Sequence, residues 1–332
     1  MSEPLTENAI RPADLFAHYL ELVSADTELF FGTTSRQPMP CPACAAVGER
    51  AFAKLGFEYR ECSDCHSLWV SPRPAFEEFS AFYAESRSSR YWAEVFSPAV
   101  MDVRRERLWR PKVSRVTELA AVWGDPTSPF SSLIDIGGGT GVFVEEFAAV
   151  NDMATVVVEP SPEAAQACRS RGINVIQAFL EDLDPAELPA GPRVFTCFEL
   201  FEHVHDPVIW LRTIADLMRT GDLLVLTTLS STGLDIRVLW EQSASINPPH
   251  HINFLNPGAM RRLADRCGIT LLDVTTPGQL DVDILRNNLD KLSDRFWRLL
   301  VQSDVATRAR WQSVVAETGN SSHMWAVMGK AT

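Results

Sequence analysis

Residues Leu133-Ile134-Asp135-Ile136-Gly137-Gly138-Gly139-Thr140-Gly141 constrain this chain more than any other stretch. A short apolar run ends in an acid. Glycines follow at alternate positions, and apolar, helix-forming sequence continues from Val142 to Val150. That order predicts a buried strand, a tight turn and a helix. Glycine lets the turn take positive φ and lets a ligand approach bare backbone. A dinucleotide fingerprint would need a third glycine at position 142, where Val142 stands, so the match to a nicotinamide site is poor.

From Ser132 onward strands and helices alternate. Strands are expected at 133–136, 154–158, 173–177, 194–198, 222–228, 269–275 and 323–328. Helices are expected near 141–150, 161–171, 207–219 and 257–267, with Gly172 and Gly268 as left-handed caps just past two of them. This rhythm implies an α/β fold with a mostly parallel sheet covered on both faces.

The second strand ends in Glu159, 18 residues after Gly141. A carboxylate there offers two oxygens to the two hydroxyls of a ribose; the alternative is a surface acid at a strand end. Pro160-Ser161-Pro162 opens the next helix, with Ser161 as N-cap and Pro162 at its first position. The fourth strand runs into Glu199-Leu200-Phe201-Glu202-His203-Val204-His205-Asp206-Pro207, at the sheet edge where such folds bind ligands. Two carboxylates and an imidazole within five residues suit a divalent ion, and Pro248-Pro249-His250-His251 supplies further imidazoles. His250 or His251 is the first choice of general base, because histidine can take a proton near neutral pH. The rival is a structural histidine in the turn before Asn256-Pro257.

Four of the seven cysteines form two pairs, Cys41-x-x-Cys44 and Cys62-x-x-Cys65, separated by 17 residues. This is the two-knuckle spacing of a structural zinc ribbon, in which four thiolates close a tetrahedral Zn2+ site and leave no open position. Residues 51–59 suit a β-hairpin and Ser67-Leu68-Trp69-Val70 a third strand.

On these residues the chain resembles the class I S-adenosylmethionine (SAM)-dependent methyltransferases of small-molecule type. Their first motif, an acid followed by Gly-x-Gly-x-Gly, fits Asp135, Gly137, Gly139 and Gly141, and their Glu-x-x-Glu-His followed by Asp-Pro fits Glu199 to Pro207. The resemblance implies a Rossmann-like seven-stranded sheet whose last two strands form an edge hairpin. It implies SAM held by Asp135, Gly137, Gly138, Gly139, Gly141, Glu159, Pro160, Asp182 and Glu199, and catalysis by His250, His251 or His203. Some members bind a metal with this motif and a later histidine, which would make Glu199, Glu202, His203 and His251 a second divalent site. Two positions depart from the family: Phe179 stands where an acid often bonds the adenine, and Arg193 where an acid often opens the fourth strand. A similar zinc-binding module precedes the SAM domain in bacterial sugar C-methyltransferases.

The formal charge of −13 makes nucleic acid and anionic membranes poor partners. No signal peptide is visible, and no apolar run approaches the ~20 residues of a membrane span, so a soluble cytoplasmic protein is expected. The expected organisation is a helical arm (1–38), a zinc ribbon (39–74), a helical lid region (75–130) and a SAM-binding domain (131–332) with a helical insertion at about 278–320. The expected activity is base-assisted methyl transfer to a sugar or natural-product intermediate. The alternatives are a metal-assisted O-methyltransferase acting on a diol, catechol or ribose, and a non-catalytic SAM sensor or ribbon interaction protein. The acceptor atom and the oligomeric state stay open.

Overall fold

A computed structural model of the chain describes residues 5–330, so the first four residues of the expected arm and the last two of the expected SAM-binding domain lie outside the described residues. The chain divides into two compact units that interleave in sequence. Among the described residues, one contains 102–228, 260–274 and 325–330; the other contains 5–101, 229–259 and 275–324.

The first of these is built on a seven-stranded sheet. Its strands are β1 (Ser132–Ile136), β2 (Ala154–Val158), β3 (Val175–Ile176), β4 (Arg193–Phe198), β5 (Leu223–Leu229), β6 (Thr270–Thr275) and β7 (His323–Gly329). Their spatial order is β3-β2-β1-β4-β5-β7-β6. The four pairs from β3 to β5 are parallel, with Ile134 opposite both Val156 and Phe195, and Val225 opposite Thr196. This is the Rossmann-like methyltransferase order. The expected strands all form; β3 is shorter than expected, Val175–Ile176, and at its start Ile173 N is still bonded to Cys168 O of the preceding helix end. The helices Val142–Ala148, Pro162–Ser170, Pro207–Leu217 and Pro257–Cys267 follow the expected positions.

The apolar side chains explain the layering. Strands β1, β4 and β5 are buried along their whole length, as continuous apolar runs in a covered parallel sheet require. One core gathers Leu133, Val157, Val194 and Val225 from the sheet with Val113 and Val116 of helix Arg110–Trp123 and Phe143 and Phe147 of helix Val142–Ala148. At the start of β4, Arg193 is buried and pairs with Asp222 (Nη2 to Oδ2 2.6 Å), and its Nη2 also donates to Leu217 O at 2.7 Å. This arginine spans the base of the sheet where the family often has an acid.

The other unit holds the helical arm, the cysteine module and the helices of the expected insertion. Helix Ala13–Phe31 carries Tyr19, Val23 and Phe31 on its buried face. The cysteine module forms strands Glu49–Lys54, Phe57–Glu61 and Leu68–Val70, and a short antiparallel pair, Arg36–Gln37 with Arg73–Pro74, closes it at its base. Phe52, Phe57, Tyr59, Leu68 and Val70 of the module share a core with Phe79 and Phe82 of helix Phe76–Glu85 and with Ile252 and Phe254. A second cluster joins Leu239 to Val282, Leu285 and Leu300 of the insertion helices. Among the described residues no helix is long and apolar enough to cross a membrane.

Candidate functional site

The glycine turn after β1 adopts the conformation its sequence demands. Gly137, Gly139 and Gly141 lie at φ +67°, +55° and +77°. Gly138 is a glycine for a different reason: a Cβ there would stand 2.6 Å from Asp135 Oδ2 and 3.0 Å from Val157 Cγ1. The Asp135 carboxylate is therefore tucked beneath the turn, where it accepts from Thr196 Oγ1 at 2.7 Å. Burial pushes its pKa up to about 7. Asp135 braces the loop from below, rather than facing solvent.

Glu159, at the end of β2, completes this turn. Its Oε2 accepts from Gly139 N at 2.9 Å and its Oε1 from Ser161 N at 3.0 Å. Each oxygen keeps a further lone pair for a ligand hydroxyl. Burial raises the carboxyl's pKa, opposed by these two backbone bonds. The next strand contributes a concave surface lined by Pro160, Val175, Ile176, Phe179 and Asp182. The expected ribose acid and the expected SAM-binding residues Pro160 and Asp182 thus fall on neighbouring segments of one unit.

The turn after β4 is strained. Glu199 lies at φ +52°, a conformation that non-glycine residues seldom adopt and that is concentrated at functional sites. Its Oε1 accepts from Thr227 Oγ1 at 2.8 Å and from Lys112 Nζ at 2.9 Å. Lys112 is buried, with its ammonium 4.9 Å from the Trp109 ring centroid and 5.0 Å from that of Phe198. Glu202 is buried in the following short turn, Phe201–His203, and accepts from Thr228 Oγ1 at 2.8 Å. Burial, reinforced by the Glu199 charge, pushes its pKa up to about 8. Lys112, Thr196, Thr227 and Thr228 were not legible as site residues; their only signal is the presence of polar side chains in otherwise apolar strands, and for Lys112 there is none.

The four cysteines come together. Cys41 and Cys65 Sγ lie 3.5 Å apart, Cys44 and Cys62 3.4 Å, and Cys44 and Cys65 3.8 Å. A tetrahedral zinc–thiolate site with bonds of about 2.3 Å needs sulfur–sulfur edges of about 3.8 Å. The two knuckles share one geometry. Ala45 and His66, each following the second cysteine of its pair, lie at φ +65° and +56°. Ala45 N donates to Cys41 O, and His66 N to Cys62 O, both at 2.9 Å. Two equivalent turns converging four thiols on one point fit a structural metal.

The histidine loop belongs to the ribbon's unit. His250 is 6% exposed, with ring centroids of Phe82, Tyr83 and Tyr19 at 5.1, 5.4 and 5.9 Å. Burial pushes its pKa down to about 3, so it stays neutral and is a weak proton acceptor near pH 7. His251 differs: its Nδ1 lies 2.6 Å from Ser245 O. A carbonyl can only accept, so Nδ1 carries the proton and Nε2 is the acceptor nitrogen in the neutral ring.

Residues 101–274, just over half of the chain, match the family described as methyltransferase domain. The chain is similar to the ubiquinone biosynthesis O-methyltransferase of Xanthomonas euvesicatoria pv. vesicatoria (30% identity, 43% of this chain and 64% of that protein). It is similar to the protein of that name from Vibrio parahaemolyticus (28% identity, 43% and 65%). The chain therefore spans less than two thirds of the length of these relatives. Among solved structures, the plantazolicin methyltransferase BamL in complex with a triazolic desmethylPZN analog and SAH has a TM-score of 0.49 at 12% identity (76% of this chain, 94% of that one). An S-adenosylmethionine-dependent methyltransferase from Clostridium acetobutylicum ATCC 824 has 0.46 at 11% identity (73% and 99%).

Proposed function

The chain belongs to the methyltransferase-domain family, and on that premise we propose that it transfers a methyl group from SAM to a small-molecule acceptor. One observation carries this reading: a glycine turn with three positive-φ residues is clamped through Gly139 N to the carboxylate of Glu159. That arrangement leaves bare backbone and a two-oxygen acceptor where an adenosyl ligand needs them.

SAM, when bound, supplies an electrophilic methyl group on a positively charged sulfur. The chain's own residues do the rest. Gly137, Gly139 and Gly141 line the approach with backbone, while Asp135 and Gly138 keep the turn in shape from beneath. Glu159 accepts from the ribose hydroxyls, and Pro160 and Asp182 border the adenine side. Glu199 contributes negative charge at the end of β4. His251, whose Nδ1 is held 2.6 Å from Ser245 O so that Nε2 is the acceptor nitrogen of the neutral ring, is the candidate base for the acceptor's proton; His250 packs rather than titrates. His203 is a second candidate for contact with the acceptor. Positioning of donor and acceptor supplies most of the acceleration. Cys41, Cys44, Cys62 and Cys65 hold a structural Zn2+.

A second reading, metal-assisted O-methyl transfer, draws support from Glu202. Its buried carboxyl beside Glu199 is held protonated near neutral pH, and a divalent ion held with His203 would relieve that burden. Relatives named as ubiquinone biosynthesis O-methyltransferases support an oxygen as the acceptor atom.

Incubation with methyl-radiolabelled SAM and a panel of catechols, vicinal diols and deoxysugars tests the proposal. Label transferred to one class, and lost in Glu159→Ala, is the expected result. Transfer that disappears when divalent ions are chelated without loss of zinc would favour the metal-assisted version. Bound SAM with no labelled product across the panel would favour a sensor.

A further inference from the structure

The ribbon's sheet does not end with the ribbon. Its fourth strand is Asn253–Phe254, which pairs antiparallel with Leu68–Val70 (Asn253 opposite Trp69, Phe254 opposite Leu68). This segment directly follows His250 and His251, 183 residues beyond Val70 in sequence at Asn253.

The attachment is dense and mostly buried. Tyr59 Oη donates to His251 O at 2.7 Å. Val70 N donates to Ile252 O at 2.9 Å, and Arg73 Nη2 reaches the same carbonyl at 3.2 Å and Asn253 Oδ1 at 3.0 Å. Asn256 Nδ2 donates to Cys65 O at 2.7 Å, while its Oδ1 accepts from Ala259 N at 2.9 Å in the first turn of helix Pro257–Cys267. Upstream, Lys54 Nζ donates to Ser243 O at 2.8 Å. Ribbon groups therefore hold carbonyls of the loop at Ser243, His251 and Ile252, and the loop's exit is tied to the backbone of a cysteine in the thiol cluster. None of these bonds is local: each joins residues well over a hundred positions apart in the chain, except that from Asn256 to Ala259.

We propose that the four-cysteine site is the positioning centre for the loop 243–256, so that metal at Cys41, Cys44, Cys62 and Cys65 fixes His251 and metal loss releases it. This rests on the reading of the cluster as a metal site. The physical reason is that the backbone turns which converge the four thiols are strained, and a bound metal would offset that strain. Ala45 and His66 sit in left-handed backbone, which is unfavourable for L-residues, and the four sulfurs cluster with three of the four cysteines buried. In modules of this size, metal binding is a large part of the folding energy. The Cys65 carbonyl that receives Asn256 lies within the second knuckle, and the strand that receives Asn253 and Phe254 starts three residues after Cys65. Tyr59, Arg73 and Asn256 are positioning residues: they touch the loop's backbone or its exit.

Hydrogen exchange on the whole protein, paired with metal analysis, tests the proposal. Purified protein should contain one zinc per chain. Stripping it with a thiol-reactive mercurial and a chelator, followed by thiol regeneration, should raise exchange in 245–256 by at least about tenfold, while peptides spanning 132–141 in the other unit change by less than about twofold. Tyr59→Phe should keep its zinc, since the ring stays, yet speed exchange at the loop by about fivefold through loss of one hydrogen bond. Metal present, removable, and without effect on 245–256 would overturn the inference while leaving the metal reading intact. Protein that never carries metal would overturn the metal reading and the inference together.

Discussion

Replacing Gly138 with alanine asks whether the glycine turn is built over a buried carboxylate. The new methyl would lie 2.6 Å from Asp135 Oδ2, 3.0 Å from Val157 Cγ1 and 3.1 Å from Asp135 Cγ. Neither neighbour yields easily: Asp135 and Val157 are buried, and Asp135 is fixed by Thr196 Oγ1 at 2.7 Å. Overpacking of this kind costs about 1–3 kcal/mol. Displacing Asp135 would strand a buried hydrogen-bonding pair for about 1–3 kcal/mol more, giving about 2–6 kcal/mol in all. Gly139→Ala is the internal control. Its Cβ would meet nothing within 4 Å, so only its φ of +55° resists, at about 1–2 kcal/mol. Urea titrations followed by circular dichroism, read as midpoint shifts at constant slope, compare the two. Removing the obstacle should also rescue the variant: in an Asp135→Ala background the added methyl should be relieved by at least ~1 kcal/mol of coupling. Equal effects of Gly138→Ala and Gly139→Ala, or strict additivity with Asp135→Ala, would mean that the turn is not packed against the Asp135 carboxylate.

Other consequences follow from buried charge. Asp135 and Glu202 have pKa values raised to about 7 and about 8 in the fold, so both favour the protonated form there. Their contribution is fully present below the ordinary carboxyl pKa of about 4 and is lost as pH rises from there to about 7 for Asp135 and about 8 for Glu202; stability should fall over that window, and Glu202→Gln should flatten the fall in denaturation titrations. His250 has the opposite sign: with its pKa lowered to about 3, its contribution is present above about pH 6.5 and declines as pH falls, so His250→Phe should flatten the acid limb between pH 6 and 4. Asp222→Ala should destabilise by about 3–5 kcal/mol in urea, because it strands the buried Arg193 guanidinium at the base of the sheet. Lys112→Met removes a cation that lowers the Glu202 pKa, so the carboxyl band of Glu202 followed by infrared titration should move to higher pH.

The parts of the fold that were legible from sequence are those written in local signals. Apolar runs marked the strands, Gly172 and Gly268 marked helix ends, and Ser161-Pro162 marked a helix start, where Ser161 Oγ indeed accepts from Ala164 N at 3.2 Å. The paired cysteines likewise marked the knuckles. What was not legible depends on pairings distant in sequence. The interleaving of 229–259 and 275–324 with the ribbon unit has no local signal, because short strands such as Asn253–Phe254 carry too few residues to show an alternation. The difference between His250 and His251 is also invisible in a Pro-Pro-His-His string. It arises from three aromatic rings around one imidazole and from a carbonyl beside the other. Asp135 illustrates an intermediate case: its place in the motif was clear, but its role under the turn emerges only from the Thr196 bond and the missing Cβ at Gly138.

Calorimetric titration of the whole chain with SAM, beside Glu159→Ala, reads whether the glycine turn and Glu159 hold the methyl donor. Single-site uptake with a Kd on the order of micromolar is expected. In Glu159→Ala, which lacks the carboxylate that clamps Gly139 N, uptake should weaken by at least about tenfold. Folded protein that takes up no SAM, or a Glu159→Ala variant that binds it as tightly as the parent, would contradict the account.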